Sequence, residues 1–328
     1  MPHNRIARRT LPFAASLVFA LAGCAGGGTA ASSSNPSAAP TGKPEITDVT
    51  IGTVPTPDYA PIQIAIDKGY FKAEGLTVKT QALNSSAGLG PLLNQSFQAQ
   101  GLNWIQFVTV VNQDVPVVGI AALTAGTPNY AEFMVKDNSP YKSLADLNGK
   151  KVAVVATPGN CDLIPLDLLA KKNETAKPNF VNLGIPDMPA QLNSGGVDAA
   201  CVPEPSLSSL KAQGGFRSIN DLFSGDYEGF PVVGISASKA FVDKNPNTVA
   251  ALQRAIGKAR NDAAADDTLV RAALKEYTKI PPAAIDKMVL PKYMKTMTAD
   301  DLQQVIKVIQ GSGLNPKATL PKGVLQIN

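Results

Sequence analysis

Histidine, the side chain that most often serves as a general base near neutral pH, occurs once in this sequence, at His3. That position lies in an N-terminal stretch with the character of a targeting signal, and the rest of the chain has no histidine. A Ser-His-Asp triad, a Cys-His dyad or a histidine metal site therefore cannot form in the body of the protein. The sequence predicts no catalytic residue, no metal site and no cofactor, and it indicates a protein that is not an enzyme.

The cysteine nearest the N-terminus has the surroundings of a lipidation site. Three arginines precede an apolar run over 11–22 that is too short to span a bilayer. The run leads into Leu-Ala-Gly-Cys, a lipobox-like sequence that ends at Cys24. The pattern predicts a lipoprotein signal peptide over 1–23 and a lipid attached to Cys24. The alternative is a plain secretory peptide followed by an incidental cysteine.

Export changes how the charge and the next segment are interpreted. The signal peptide contains three arginines and no acidic residue, so most of the formal net charge of +4 belongs to targeting, and a nucleic-acid partner has no electrostatic support. Residues 24–44 are rich in Gly, Ala, Ser, Thr and Pro, with one charge at Lys43, which predicts a flexible tether. We expect an extracytoplasmic body held to the cell membrane by its lipid.

Of two further cysteines, Cys161 comes shortly after the apolar run 152–156, and Cys201 lies within a later apolar run, 197–202. In an oxidising, exported setting they are candidates for a disulfide, which neighbouring strands would permit. The alternative is a pair of buried free thiols that behave as small apolar side chains.

The stretch 150–172 shows how the body is built. The apolar run Val152–Ala156 is typical of a strand buried on both faces of a sheet. Thr157-Pro158-Gly159-Asn160 ends that strand, and Asp162 is expected to cap the helix that follows. Short strands alternate with helical patterns from Ile46 onward, which indicates the α/β class.

The body is too long for one comfortable core, so we predict two α/β lobes joined by two crossing segments. Lobe 1 is assigned to 45–129 and 233–328, and lobe 2 to 130–232. Two crossing segments would form a hinge and leave a cleft between the lobes.

Several stretches together resemble one family. They are residues 60–71 with Glu-Gly-Leu at 74–76, the run at 143–154, and the segment at 192–199, which is followed by Glu204-Pro205. These stretches occur here in the family's order. They resemble the nitrate/sulfonate/taurine group of ABC-importer solute-binding proteins, which is similar to the thiamine-pyrimidine proteins. The resemblance implies a type II periplasmic-binding-protein fold with a ligand in the interlobe cleft.

The resemblance also implies which positions face that ligand. From the first lobe they come from the loops 56–59 and 84–88 and from a strand end near 106–109, and from the second lobe they come from the loop 157–161 and from Glu204. The positions that carry over are Thr56, Asp58, Tyr59, Ser85, Ser86, Gln106, Thr109, Thr157, Gly159, Asn160, Cys161 and Glu204. The pair Asn103-Trp104 and the loop at 157–161 depart from the family's usual residues, so the ligand itself is not carried over.

None of these loops contains Lys or Arg. An anionic ligand would rely on backbone N–H groups, hydroxyls and helix N-termini. Tyr59, Phe107 and Glu204 would better suit a neutral or cationic ring. Glu204 has an alternative role as an acid at a helix N-terminus, and Trp104 is either a core residue or a stacking surface for a ligand.

The resemblance implies a monomeric, lipid-anchored solute-binding subunit that presents its ligand to an ABC permease. Its solute would be a small organic molecule, either of sulfonate, nitrate or taurine type or a pyrimidine or other aromatic compound. One alternative is a ligand-sensing module for a membrane receptor. A less expected alternative is an extracytoplasmic enzyme on the same fold. The related fungal thiamine-pyrimidine synthases depend on histidine, which the body of this chain lacks.

Overall fold

A computed structural model describes residues 42–83 and 88–327. The predicted signal peptide, the lipid site at Cys24, most of the predicted tether, and Ser85 and Ser86 lie outside the described residues. Within them, no helix is both long and apolar enough to cross a membrane.

The strands of the described residues form two sheets. They are β1 (Asp48–Thr53), β2 (Thr77–Ala82), β3 (Ala99–Asn103), β4 (Val117–Ala125), β5 (Ala131–Lys136), β6 (Lys151–Val154), β7 (Asn179–Asn182), β8 (Ala199–Pro203), β9 (Phe216–Asp221), β10 (Pro231–Ser238) and β11 (Lys292–Tyr293). The α-helices are α1 (Ala60–Asp67), α2 (Tyr70–Ala73), α3 (Gly90–Leu93), α4 (Trp104–Val111), α5 (Asn160–Lys171), α6 (Met188–Ser194), α7 (Ser206–Gln213), α8 (Lys239–Lys244), α9 (Pro246–Ala265), α10 (Asp267–Tyr277), α11 (Pro282–Ile285) and α12 (Leu302–Gly311).

Sheet A has six strands in the order β11-β4-β10-β3-β1-β2, and sheet B has five in the order β7-β6-β8-β5-β9. Both sheets are mixed. In sheet A, β1 pairs in parallel with β2 and β3, whereas β10 is antiparallel to β3 and β4. In sheet B, β6 pairs in parallel with β7 and β8, whereas β5 is antiparallel to β8 and β9. The α/β class is thus confirmed, with antiparallel strands added to the parallel units.

The chain passes between the sheets twice. It leaves sheet A after β4 and enters sheet B at β5, and it returns from β9 to β10. The connecting segments are 126–130 and 222–230. The predicted lobe boundary between 129 and 130 falls in the first segment, whereas the predicted boundary between 232 and 233 falls within β10. The division into moving lobes stays a prediction.

The C-terminal helices cover sheet A with apolar faces that have helical spacing. On α9, the buried residues include Val249, Leu252, Ile256 and Ala259, and α12 likewise buries Leu302, Val305, Ile306 and Ile309. Residues three and four apart share one face of a helix, so each set forms a continuous apolar stripe. The helical pattern predicted for this region is confirmed.

Two local predictions are wrong. The strand end predicted near 106–109, which includes Gln106 and Thr109, lies in helix α4, because Asn103 ends β3 and its side-chain oxygen accepts from the Gln106 backbone N–H at 2.8 Å. Periodicity alone cannot separate a short apolar helix from a buried strand. Helix α5 begins at Asn160, so Asp162 is its third residue and not its cap. Its carboxylate accepts from the Gly159 N–H at 2.6 Å.

Candidate functional site

A cavity lies between the two sheets, where the carboxyl ends of their parallel strands face each other. It encloses about 660 Å³, counting the part open to solvent. Its walls follow β1, β3, β6 and β9 and include the beginnings of β5 and β10, which run in the opposite direction and so reach the same edge. The space outside the carboxyl ends of strands is where α/β sheets usually hold ligands.

Half of the positions predicted for the ligand line this cavity. Those that do are Thr56, Asp58, Tyr59, Gly159, Asn160 and Cys161. Gln106, Thr109, Thr157 and Glu204 are not among the lining residues. Thr109 donates instead to the Ile105 carbonyl one turn earlier in α4, at 2.8 Å.

Asp58 is the charged group of the cavity. It lies in a 3-10 turn, Pro57–Tyr59, directly after β1, and it is 5% exposed. Its carboxylate accepts hydrogen bonds from the hydroxyls of Thr56 at 2.8 Å, Thr124 at 2.6 Å and Tyr130 at 2.6 Å. Three hydroxyl donors thus replace the water that a buried carboxylate loses.

Hydroxyls from the C-terminal part of the chain fix this turn in place. Tyr277 donates to the Thr56 carbonyl at 2.6 Å, and Tyr293 donates to the Pro57 carbonyl at 2.8 Å. Burial, and then the charge of Asp58, raise the pKa of Tyr277 well above its usual value. The pKa of Tyr130 is raised by the same two causes, so these phenols stay neutral donors at physiological pH.

Two asparagines face the cavity from opposite sheets. Asn103 lies at the end of β3 and Asn160 begins α5. The Oδ1 atom of Asn160 is buried and has no hydrogen-bond partner among the described residues. A Cβ added to Gly159 would lie 2.8 Å from the Ala156 carbonyl oxygen and 3.6 Å from Asn103 Nδ2, so glycine permits the close approach of these loops.

A disulfide anchors the loop that carries Asn160. Cys161 and Cys201 are joined, with an S–S distance of 2.03 Å and 5.9 Å between their Cα atoms. This Cα separation is the usual one for a disulfide. Cys201 lies in β8, next to β6, so the bond ties the first turn of α5 to the centre of sheet B.

Asp162 is buried behind the same loop. Burial raises the pKa of this carboxyl to about 7, against the opposing effect of the N–H groups that bind it. Because the folded-state pKa lies above the ordinary value of 3.8, the folded protein holds the proton more tightly than the unfolded chain. The contribution of Asp162 to stability is fully present at pH values below its ordinary pKa of 3.8, and it is lost as the pH rises through about 7.

We therefore expect the free energy of unfolding to fall between pH 4 and pH 7, by up to roughly 1.4 kcal/mol per pH unit from this group. Urea unfolding of the wild type and of Asp162→Asn across this range measures it. The difference in unfolding free energy between the two proteins should change steadily with pH. A difference that is constant from pH 4 to pH 7 would assign the titration to other groups.

Glu204 takes part in a different set of contacts. Its carboxylate accepts from the Ser208 N–H at 3.0 Å, the Ser208 hydroxyl at 2.6 Å and the Val289 N–H at 3.1 Å. Ser208 belongs to α7, whereas Val289 precedes β11 of sheet A. The carboxylate therefore links the sheet B side of the molecule to the C-terminal segment.

We expect Glu204→Ala to lower the unfolding free energy by roughly 2 kcal/mol, because it leaves the partly buried N–H groups of Ser208 and Val289 without an acceptor. Glu204→Gln keeps an acceptor and should lose less than half of that amount, which urea unfolding can compare. Solute titration of Glu204→Gln tests the role that the family resemblance implies. Unchanged affinity for every solute would assign Glu204 to structure, and weakened affinity would place it in the site.

Sequence reasoning missed several residues of the site. Thr124 and Tyr130 bind the Asp58 carboxylate from positions far along the chain, and Phe223 and Val233 supply apolar wall. Trp104 is fully buried in the core, packed edge-on against Phe107 with ring centroids 5.3 Å apart. The only signal for Thr124 and Tyr130 was their place at the predicted crossing between lobes.

Among the described residues, no group of three or more His, Cys, Asp or Glu side chains is arranged to hold a metal ion. No Lys or Arg lines the cavity either. The site therefore offers a buried carboxylate, amide groups, hydroxyls and aromatic walls, a set suited to binding a small organic molecule.

Solved structures with the same architecture cover most of the chain. A protein from Bordetella bronchiseptica RB50 aligns with a TM-score of 0.73 and 25% identity, over 88% of this chain and 96% of its own. The alkanesulfonate-binding protein SsuA from Xanthomonas axonopodis pv. citri, bound to MOPS, aligns with a TM-score of 0.71 and 17% identity, over 87% and 99%. These likenesses confirm the predicted type II periplasmic-binding-protein fold.

Sequence comparison gives two curated relatives. The nitrate/nitrite binding protein NrtA of Nostoc sp. is 26% identical over 256 residues, 71% of this chain and 57% of that protein, so the chain spans little more than half of that relative's length. The 4-amino-5-hydroxymethyl-2-methylpyrimidine phosphate synthase THI13 of Saccharomyces cerevisiae is 24% identical, over 74% of this chain and 73% of that enzyme.

The model of the family described as NMT1/THI5 like matches residues 56–268. Because that match spans well over half of the sequence, the chain belongs to the NMT1/THI5-like family.

Proposed function

We propose that this protein is the solute-binding subunit of an ABC importer, and that it captures a small organic solute in the cavity between its two sheets. The observation that carries the proposal is the cavity itself, which is lined from both sheets and contains a buried, hydrogen-bonded Asp58. Relatives that bind nitrate or sulfonates on this fold support it.

The segments 126–130 and 222–230 would serve as the hinge. Because each sheet contributes one wall, a solute that touches both walls would stabilise the closed arrangement of the lobes. The closed, liganded form would then be presented to the permease. We propose that the protein works as a monomer outside the cytoplasm, held to the membrane by a lipid on Cys24.

An enzymatic role has one relative in its favour, since THI13 is a synthase. The residues from 42 onward contain no histidine, and the cavity is lined by no Lys or Arg. The groups that remain can orient a ligand, but Asp58 is already bound by three hydroxyls. We therefore favour binding without chemistry. A sensing role would use the same cavity and differ only in the membrane partner.

Isothermal titration calorimetry of the full chain with nitrate, alkanesulfonates, taurine, pyrimidines and small aromatic acids and amines tests the binding role. We expect saturable one-to-one binding of at least one of these solutes. If no solute of any charge binds, the proposal fails. Pull-down of a permease and ATPase pair, rather than a receptor, by the liganded protein would separate import from sensing.

A further inference from the structure

We propose that the solute is a positively charged nitrogen base, with N–H donors on a small apolar body, bound through the Asp58 carboxylate. This inference rests on the proposed binding function and specifies the chemical class of its ligand. It follows from what the cavity walls offer and from what they lack.

The first observation is that Asp58 has no counterion among residues 42–83 and 88–327. None of the ion pairs of the described residues involves it, and its partners are three neutral hydroxyls. Arg271 acts electrostatically on Tyr293 next to this turn, but its guanidinium donates to the carbonyls of Ile285 and Met288. Hydroxyls stabilise a buried carboxylate without neutralising it, so its charge remains available to a ligand.

The second observation is that the carboxylate has capacity left. An ionised carboxylate accepts about four hydrogen bonds, and the protein supplies three. Oδ2 accepts two of these bonds and Oδ1 accepts one, and Asp58 lines the cavity, so a molecule bound there would take the remaining acceptor position on Oδ1. An N–H group on a cation would make a charge-assisted hydrogen bond, which is stronger than a neutral one.

A second acceptor lies in the same cavity. Asn160 Oδ1 is buried without a hydrogen-bond partner among the described residues, and Asn160 lines the cavity from the sheet B side. A ligand with more than one N–H donor would pair with both of these acceptors. An oxyanion such as nitrate has no N–H group, and it would leave Asn160 Oδ1 unpaired and Asp58 repelled.

The remaining walls suit a flat cation. Tyr59, Tyr130 and Phe223 line the cavity, and the rings of Tyr130 and Phe223 lie 6.4 Å apart between centroids. The faces of aromatic rings attract cations and stack on planar groups. Val155, Val232 and Val233 complete an apolar enclosure in which the attraction of Asp58 for a cation is screened less than in water.

Two matched series test the charge of the ligand. Benzamidinium, benzamide and benzoate have nearly the same shape and carry positive, zero and negative charge, and acetamidinium, acetamide and acetate repeat the series at smaller size. Calorimetry on the full chain should show the amidinium of one series or both binding at least ~10-fold more tightly than its amide, with no detectable binding of the carboxylate.

Asp58→Asn should weaken amidinium binding by roughly 100-fold and leave the amide nearly unchanged. Asp167→Asn is the matched control, because Asp167 is also a buried aspartate but lies outside the cavity, where it accepts from Tyr227 at 2.8 Å. Should Asp58→Asn fail to fold, Asn160→Asp replaces it. This change places a charge at the first residue of α5, where the helix dipole favours it, and should tighten amidinium binding several-fold.

Three results would overturn the proposal. The first is that a carboxylate, nitrate or methanesulfonate binds more tightly than either amidinium. The second is that neither amidinium binds while another solute does. The third is that Asp58→Asn and Asn160→Asp both leave amidinium binding unchanged. Absence of binding by every solute tested would instead refute the binding function itself.

Discussion

Loss of the Cys161–Cys201 disulfide should lower the free energy of unfolding by about 4 kcal/mol. The two cysteines are 40 residues apart, and closing a loop of that length removes much of the conformational entropy of the unfolded chain. The bond also fixes the first turn of α5, which presents Asn160 to the cavity. Loss of the disulfide should therefore lower the affinity for the solute as well as the free energy of unfolding.

Urea unfolding of the wild type with and without reductant measures this effect. The double variant Cys161→Ala/Cys201→Ala is the control, since reductant should leave its unfolding midpoint unchanged. The single variants Cys161→Ala and Cys201→Ala each lose the crosslink and only one buried thiol. Their comparison with the double variant therefore separates the effect of the crosslink from that of the side chains. A shift of less than about 1 kcal/mol on reduction of the wild type would show that this crosslink adds little to stability.

Gly101→Ala should cost roughly 3 kcal/mol and also weaken solute binding, because it acts on a wall of the cavity. A Cβ at Gly101 in β3 would lie 2.1 Å from Cε1 and 2.4 Å from the hydroxyl oxygen of Tyr59. The ring of Tyr59 is 4% exposed and lines the cavity, so it cannot move aside without disturbing the site.

The matched control is Gly257→Ala in α9, where an added Cβ meets no atom within 4 Å and alanine favours the helix. A double variant, Gly101→Ala/Tyr59→Ala, tests the cause directly. If the clash with Tyr59 is responsible, the two changes together should cost less than the sum of the single changes. Additive losses in the unfolding free energy would place the cause elsewhere.

The element order and α/β class could be predicted because their signals are local. The strand at Val152–Ala156 and the turn behind it follow from an apolar run ended by Pro and Gly, and the structure has β6 at that place with α5 behind it. The start of α5 was misplaced because both Asn160 and Asp162 are residues found at helix N-termini.

The error at 106–109, within the apolar run 104–111, has a similar origin. Eight consecutive residues with an apolar majority fit a buried strand as well as a helix. The deciding group is Asn103, whose side chain caps α4. Asparagine before an apolar run is a known start signal for a helix, so the sequence contained this information.

The arrangement around Asp58 could not be read from the sequence. Thr124 and Tyr130 are 66 and 72 residues away from Asp58, and each reaches it only after β4 has paired within sheet A. Hydrogen bonds between distant hydroxyls and one carboxylate leave no periodic pattern. The family resemblance selected the loop 56–59 with Asp58, and the fold determines which distant hydroxyls bind its carboxylate.

The central claim is that a solute binds in the cavity between the two sheets, and one comparison tests it most directly. Val155→Trp fills the cavity from the end of β6, whereas Leu314→Trp adds the same ring at an exposed position outside it. Calorimetry with the tightest solute of the panel, on both variants and the wild type, should give equal affinity for the wild type and Leu314→Trp. The affinity of Val155→Trp should be at least ~100-fold lower, while its thermal unfolding still shows a folded protein. Equal affinity in all three proteins would place the solute elsewhere and contradict the account.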